Sequence, residues 1–173
     1  MQINFYPEQN NENYEKAARE FRKLWDEEGK KITKAIEKIS SLKFKETIIN
    51  ALIYNDVSYS MPLQLEAGLS WENKKGELIH ELCHRLIAGN NIKFSELPKD
   101  PIQWNVEIHK PVMLILYDIW TTLYGEDFAK NVVTYEISVW TEGETNPYKV
   151  VWDWALSISK EERRKEFKKY FRS

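Results

Sequence analysis

Cysteine is almost absent from this chain of 173 residues, Cys83 being the single one. One thiol excludes an internal disulfide framework and any cysteine-rich zinc ribbon. Long hydrophobic runs are missing as well: the most apolar stretch, 112–117, falls far short of the roughly 18 residues that a membrane span needs. The opening residues, MQINFYPEQNNENYEK, turn polar after Tyr6 without an apolar core of signal-peptide length. No charge of one sign dominates, since 25 Lys and Arg face 27 Asp and Glu for a formal net charge of −2. A nucleic-acid partner is therefore not expected, nor is a membrane. Repeats, low-complexity tracts and interdomain linkers are also lacking. Together these absences point to a soluble, cytoplasmic protein in a reducing compartment.

What is present favours a well-built core. Hydrophobic residues make up 42% and charged residues 30%, which excludes a disordered chain. Seven Trp, nine Tyr and seven Phe supply large apolar bodies. A single domain over 1–173 is expected, long enough to bury about 70% of its unfolded surface.

Periodicity predicts an α+β fold, mainly helical, with a small β-sheet ahead of its central helix. Residues 10–40 place Tyr14, Ala17, Phe21, Leu24, Trp25, Ile32, Ile36 and Ile39 at helical spacing, with Gly29 as a possible break. Residues 45–54 favour a strand through Ile and Thr, and 57–66 read as a second strand. Pro62 inside the second cannot donate to a ladder and marks a sheet edge or a bulge. A helix is expected over 74–88, stopped by Gly89-Asn90, and another over 106–124 with Pro111 near its first turn. Residues 127–140 read as helix turning to strand. The tail reads as helix over 146–157, followed by a Ser159…Glu162 capping box that opens a charged helix.

Histidine is nearly as scarce as cysteine: the chain has three, His80, His84 and His109. Two of them belong to the pentapeptide His80-Glu81-Leu82-Cys83-His84, an H-E-x-x-H sequence. On a helix, positions i and i+4 lie about 40° apart, so both imidazoles can reach one ion through neutral nitrogens at about 2.0–2.1 Å. Glu81 lies roughly 60° beyond His84 on the wheel, near such an ion without being needed as a ligand. It is placed to take a proton from activated water. Glu77, Ala88 and Arg85 share this arc, whereas Leu78, Ile79, Leu82, Cys83, Leu86 and Ile87 fill the rest. The helix should thus have its back in the core and its front on a cleft.

A catalytic zinc keeps three protein ligands and leaves a position for water. His109 is assigned as the third ligand, with Glu107 as competitor and Asp118 as a weaker candidate. Asp118, inside the apolar run LILYDIW, is either an acceptor for a ligand imidazole or the core partner of an N–H or an Arg. Cys83 and the Trp152/Trp154 pair are read as core.

His80-Glu81-Leu82-Cys83-His84 on an amphipathic helix behind a probable edge strand resembles the zincin metallopeptidases. A distal His as third ligand is similar to the SprT-like branch, and a distal Glu would be similar to the gluzincins. The elongated metzincin pattern is not met, because Ile87 and Asn90 stand where its Gly and last His belong. The resemblance implies a Zn2+ cofactor, Glu81 as general base, and a peptide or protein substrate paired by strand addition to the edge around 58–65. A donor for the oxyanion would come from Tyr117, Tyr124, Tyr135 or Arg85. Two rival readings use the same metal: a non-catalytic zinc-binding module that docks a protein partner, and a metal hydrolase acting on another bond.

Overall fold

Alternation shapes the start of the chain. Ile3 and Phe5 are buried and interleave with Gln2, Asn4 and Tyr6, which gives strand β1 (Gln2–Pro7). The computed structural model describes residues 1–92, 94, 97–140 and 145–171, which divide into two compact units, Met1–Asn90 and Asn91–Ser173. The architecture is α+β and mostly helical, with a three-stranded parallel sheet ahead of the H-E-x-x-H helix. No helix among the described residues is long and apolar enough to cross a membrane.

In the first unit, β1 pairs in parallel with β2 (Ile48–Tyr54), and β2 with β3 (Leu63–Glu66), in the order β1-β2-β3. One face of the sheet is apolar, with Ile3, Phe5, Ile49, Ala51, Ile53, Leu63 and Leu65 buried. Its other face is polar enough to leave Asn4 and Asn50 hydrogen-bonded to each other at 3.0 Å. Strand β1 escapes the sequence expectation because its alternating run is short and begins at the second residue.

Between β1 and β2 runs α1 (Glu12–Ser40), capped by Asn11, whose side chain accepts from the Asn13 N–H. Phe21, Leu24, Ile32 and Ile36 face inward, and Phe21 stacks on Phe5 with ring centroids 5.7 Å apart. Gly29 does not break this helix. It makes room for the indole of Trp25 one turn earlier, where a Cβ would come within 2.7 Å of the ring.

The expected strand over 57–66 is only half a strand. Parallel strands need a return path between them, and the chain makes it along the outer edge of β3. Tyr59 and Gln64 exchange both main-chain hydrogen bonds in an antiparallel bridge, at 2.9 and 2.8 Å. The Ser58 hydroxyl accepts from the Glu66 N–H at 3.1 Å. Pro62, in a cis peptide with Met61, sits at the fold-back just before β3. The edge is therefore closed by the chain itself, and strand addition of a peptide around 58–65 is not available at Gln64 and Glu66.

Helix α2 (Trp71–Gly89) carries the pentapeptide and starts three residues before expectation, because Ser70 caps it by accepting from the Asn73 N–H. The buried Lys74 ammonium uses its donors on the carbonyls of Ala67 and Leu69 and on Glu20 of α1, at 3.1, 2.7 and 2.9 Å. Arg85, near the other end, holds Glu46 with two hydrogen bonds and the Ser60 carbonyl with a third.

The second unit is helical: α3 (Pro101–Tyr124), α4 (Glu126–Ser138), α5 (Pro147–Ser157) and α6 (Lys160–Lys169). Helix α3 begins five residues earlier than expected. Asp100 caps it and Pro101 occupies its first turn, so Pro111 lies inside the helix rather than near its start. Helix α4 replaces the expected turn to strand before residue 140, while residues 141–144 lie outside the described residues. The capping box at Ser159 and Glu162 is formed as expected. The core joins α3 to α4, α5 and α6, with Trp120 and Trp152 in tilted contact at 5.7 Å.

Gly29→Ala would gain helix propensity of about 1 kcal/mol but drive a methyl into a buried indole. A net destabilisation of about 1–3 kcal/mol is expected, measured as a lower urea midpoint at an unchanged slope.

Candidate metal centre

The helical repeat of α2 brings His80 and His84 together. Their Nε2 atoms lie 3.0 Å apart and their rings stack at 5.0 Å with an interplanar angle of 27°. Two nitrogens bound tetrahedrally to one zinc at 2.0–2.1 Å would be about 3.3 Å from each other. The pair thus stands close to ligating geometry, and neutral imidazoles are the donors that zinc, copper, iron and nickel accept.

The surroundings of the pair differ from the expected open front. His80 is 3% exposed and Glu81 6%, and Leu78, Ile79, Leu82, Cys83, Leu86 and Ile87 are buried too. Only His84 and Arg85 of this stretch are half-buried. Cys83 is a core thiol, as its position on the wheel implied. Glu81 lies close enough to Tyr54, at the end of β2, to oppose ionisation of that phenol. Burial is the main cause that pushes Tyr54 up to about 12, with Asp56, Tyr59, Glu81 and Glu8 adding to it. Its hydroxyl donates to the Val57 carbonyl at the start of the return segment.

In the second unit, His109 lies in the third turn of α3 and is 6% exposed. Its Nδ1 stands 2.8 Å from the main-chain carbonyl of Asn105. A carbonyl only accepts, so Nδ1 carries the proton and Nε2 is left with its lone pair. This is the orienting contact that metal-ligating histidines use. Tyr148 of α5 packs on the ring, with centroids 4.8 Å apart.

The competing carboxylates are engaged elsewhere. Glu107 pairs with Lys110 at 2.6 Å. Asp118 is buried against Arg163 Nη2 at 2.8 Å, so it is the partner of a buried cation and not of an imidazole. Arg85 is committed to Glu46 and Ser60, and Tyr117 lies under the Arg163 guanidinium at 5.7 Å. Trp152 is core, its Nε1–H donating to buried Glu136 at 2.8 Å. Trp154 is half-buried beneath Lys110. Sequence reasoning passed over Asn105 and Tyr148. Starting α3 at residue 106 left Asn105 in a loop, although it precedes His109 by one turn.

No family model, curated protein or solved structure matches this chain.

Two outcomes follow from these environments. An unfolded tyrosine ionises at about 10, whereas Tyr54 holds its proton to about 12 in the fold. Its contribution to stability is complete below about pH 10 and falls as pH rises toward 12. Tyr54→Phe should remove one late-ionising phenol from the tyrosinate absorbance titration and soften the alkaline loss of stability. Asp118→Ala leaves the Arg163 charge buried and unpaired, and should cost about 3–5 kcal/mol in urea denaturation.

Proposed function

We propose that residues 1–173 form one zincin-like metallopeptidase domain of the cytoplasm, in which His80, His84 and His109 hold a Zn2+ ion and Glu81 is the general base. The carrying observation is that α2 sets His80 and His84 one turn apart with their Nε2 atoms 3.0 Å from each other. Two neutral imidazoles at that spacing suit two of the three ligands of a catalytic zinc, and His109, the third histidine of the chain, would supply the remaining one. The fixed tautomer of His109 and the burial of His80 and Glu81 support the same reading.

Zinc, when bound, polarises a carbonyl and acidifies water. Glu81 would accept a proton from the attacking water, whose oxygen bonds to the peptide carbonyl carbon. As the C–N bond breaks, Glu81 would pass that proton to the leaving amine. The burial of His80 and Glu81 would lower the local dielectric and strengthen each of these charge interactions. The closed outer edge of β3 favours a second reading, a zinc-binding module that docks a protein without cleaving it, since the usual backbone template for a peptide is already taken.

One comparison separates the two. Zinc content and cleavage of a mixed peptide library are measured for the wild type and for Glu81→Gln. The expected result is equal zinc, with cleavage about 10²–10⁴-fold slower in the variant. Zinc without cleavage by either protein supports the docking module, and no zinc uptake at neutral pH sinks both. His109→Ala should weaken zinc binding, whereas Glu107→Ala should leave it unchanged.

A further inference from the structure

A cavity of about 420 Å3 opens within the first unit, where the chain leaves β2 at Asn55 and β3 at Ala67 and enters α1 and α2. Ligands of parallel sheets ordinarily bind outside the carboxyl ends of the strands, and this volume lies in the range of small-molecule sites. Lys74 is the buried cation of the cavity wall. Its ammonium is committed to the carbonyls of Ala67 and Leu69 and to the Glu20 carboxylate, so that charge is balanced inside the protein. Asn11 is engaged in capping α1. Apart from the exposed Lys16, the other polar side chains of the lining are the neutral Asn13, Tyr14 and Asn55. A carboxamide and a phenol each both donate and accept hydrogen bonds. Beside them stands Trp71, 39% exposed, a large apolar body that a ligand in the cavity can cover.

We propose that this cavity binds a neutral saccharide of one or two rings, with a ring face against Trp71 and hydroxyls on Asn13, Tyr14 and Asn55. A hydroxyl donates one hydrogen bond and accepts others, so it is met best by groups that also do both. A sugar ring turns an apolar C–H face to one side, which suits an indole. An anion needs positive charge that is still available. The Lys74 protons are already engaged, Lys16 lies in water where salt screens it, and the starts of α1 and α2 are capped by Asn11 and Ser70. The site belongs to the first unit alone and is independent of whether the histidines hold a metal.

The test titrates the 15N-labelled full chain with glucose, N-acetylglucosamine, maltose and chitobiose, and in a separate arm with inorganic phosphate, at constant pH. Amide shifts in NMR spectra are read. The expected result is saturable, millimolar binding of at least one sugar, with shifts concentrated in residues 11–20, 55 and 67–74, and no such shifts with phosphate. Trp71→Ala should weaken that binding about tenfold or more. Asn13→Ala and Asn55→Ala should each weaken it about two- to tenfold. All three side chains are exposed, so the melting temperatures should stay near that of the wild type. Shifts at these residues from phosphate and from none of the sugars show an anion site and overturn the proposal. It is also overturned by the absence of saturable shifts there with any of the four sugars, or by sugar binding that Trp71→Ala leaves undiminished. If Trp71→Ala fails to fold, the sugar affinities of Asn13→Ala and Asn55→Ala decide in its place.

Discussion

Two imidazole nitrogens 3.0 Å apart cannot both turn bare lone pairs toward each other without cost. Something positive, a proton or a metal ion, must lie at that place. The constraint comes from backbone geometry and not from the side chains' own preference, because a helix fixes residues four apart on one face. Burial sharpens it: with His80 and Glu81 nearly closed off from water, solvent cannot relieve the electrostatic demand. A buried carboxylate beside one buried and one half-buried histidine is unfavourable for a stable core and useful for chemistry.

The first unit spends much of its structure on holding α2 in place. At one end the Lys74 ammonium is tied to two carbonyls of the preceding turn and to Glu20 of α1, so all three of its protons are used and its desolvation is offset. At the other end Arg85 grips Glu46 and the Ser60 carbonyl, which joins the helix to the return segment beside β3. Between these clamps the apolar residues of the helix fill the core. The same scheme recurs in the second unit, where Asp118 and Arg163 fix α6 to α3 and the Asn105 carbonyl fixes the His109 ring.

Much of this was legible in the residues alone. The pentapeptide, the i and i+4 pairing and the core role of Cys83 follow from the helical period, and the capping box at Ser159 follows from local hydrogen-bond chemistry. The helix over 12–40 was readable too, but the meaning of Gly29 was not. A glycine that accommodates an indole one turn away looks the same in sequence as one that ends a helix. Helix starts were missed where caps decide them, at Ser70 and Asp100, and the late start assigned to α3 hid the relation of Asn105 to His109. The run over 57–66 misled because alternation reports exposure and not direction. A segment that doubles back on itself alternates as well as a straight strand does. The burial of Glu81 and the pairing of Asp118 with Arg163 depend on contacts distant in sequence, which no local pattern encodes.

The return segment along β3 has one more consequence. An open strand edge is a template on which other chains can grow, and proteins commonly guard it with charge, proline or a bulge. Here Ser58 and Tyr59 occupy the hydrogen-bonding positions of Gln64 and Glu66, with Pro62 at the bend. On that side the sheet is sealed against runaway cross-chain growth into fibrils, and a loop needed only to connect two parallel strands also acts as a guard against aggregation.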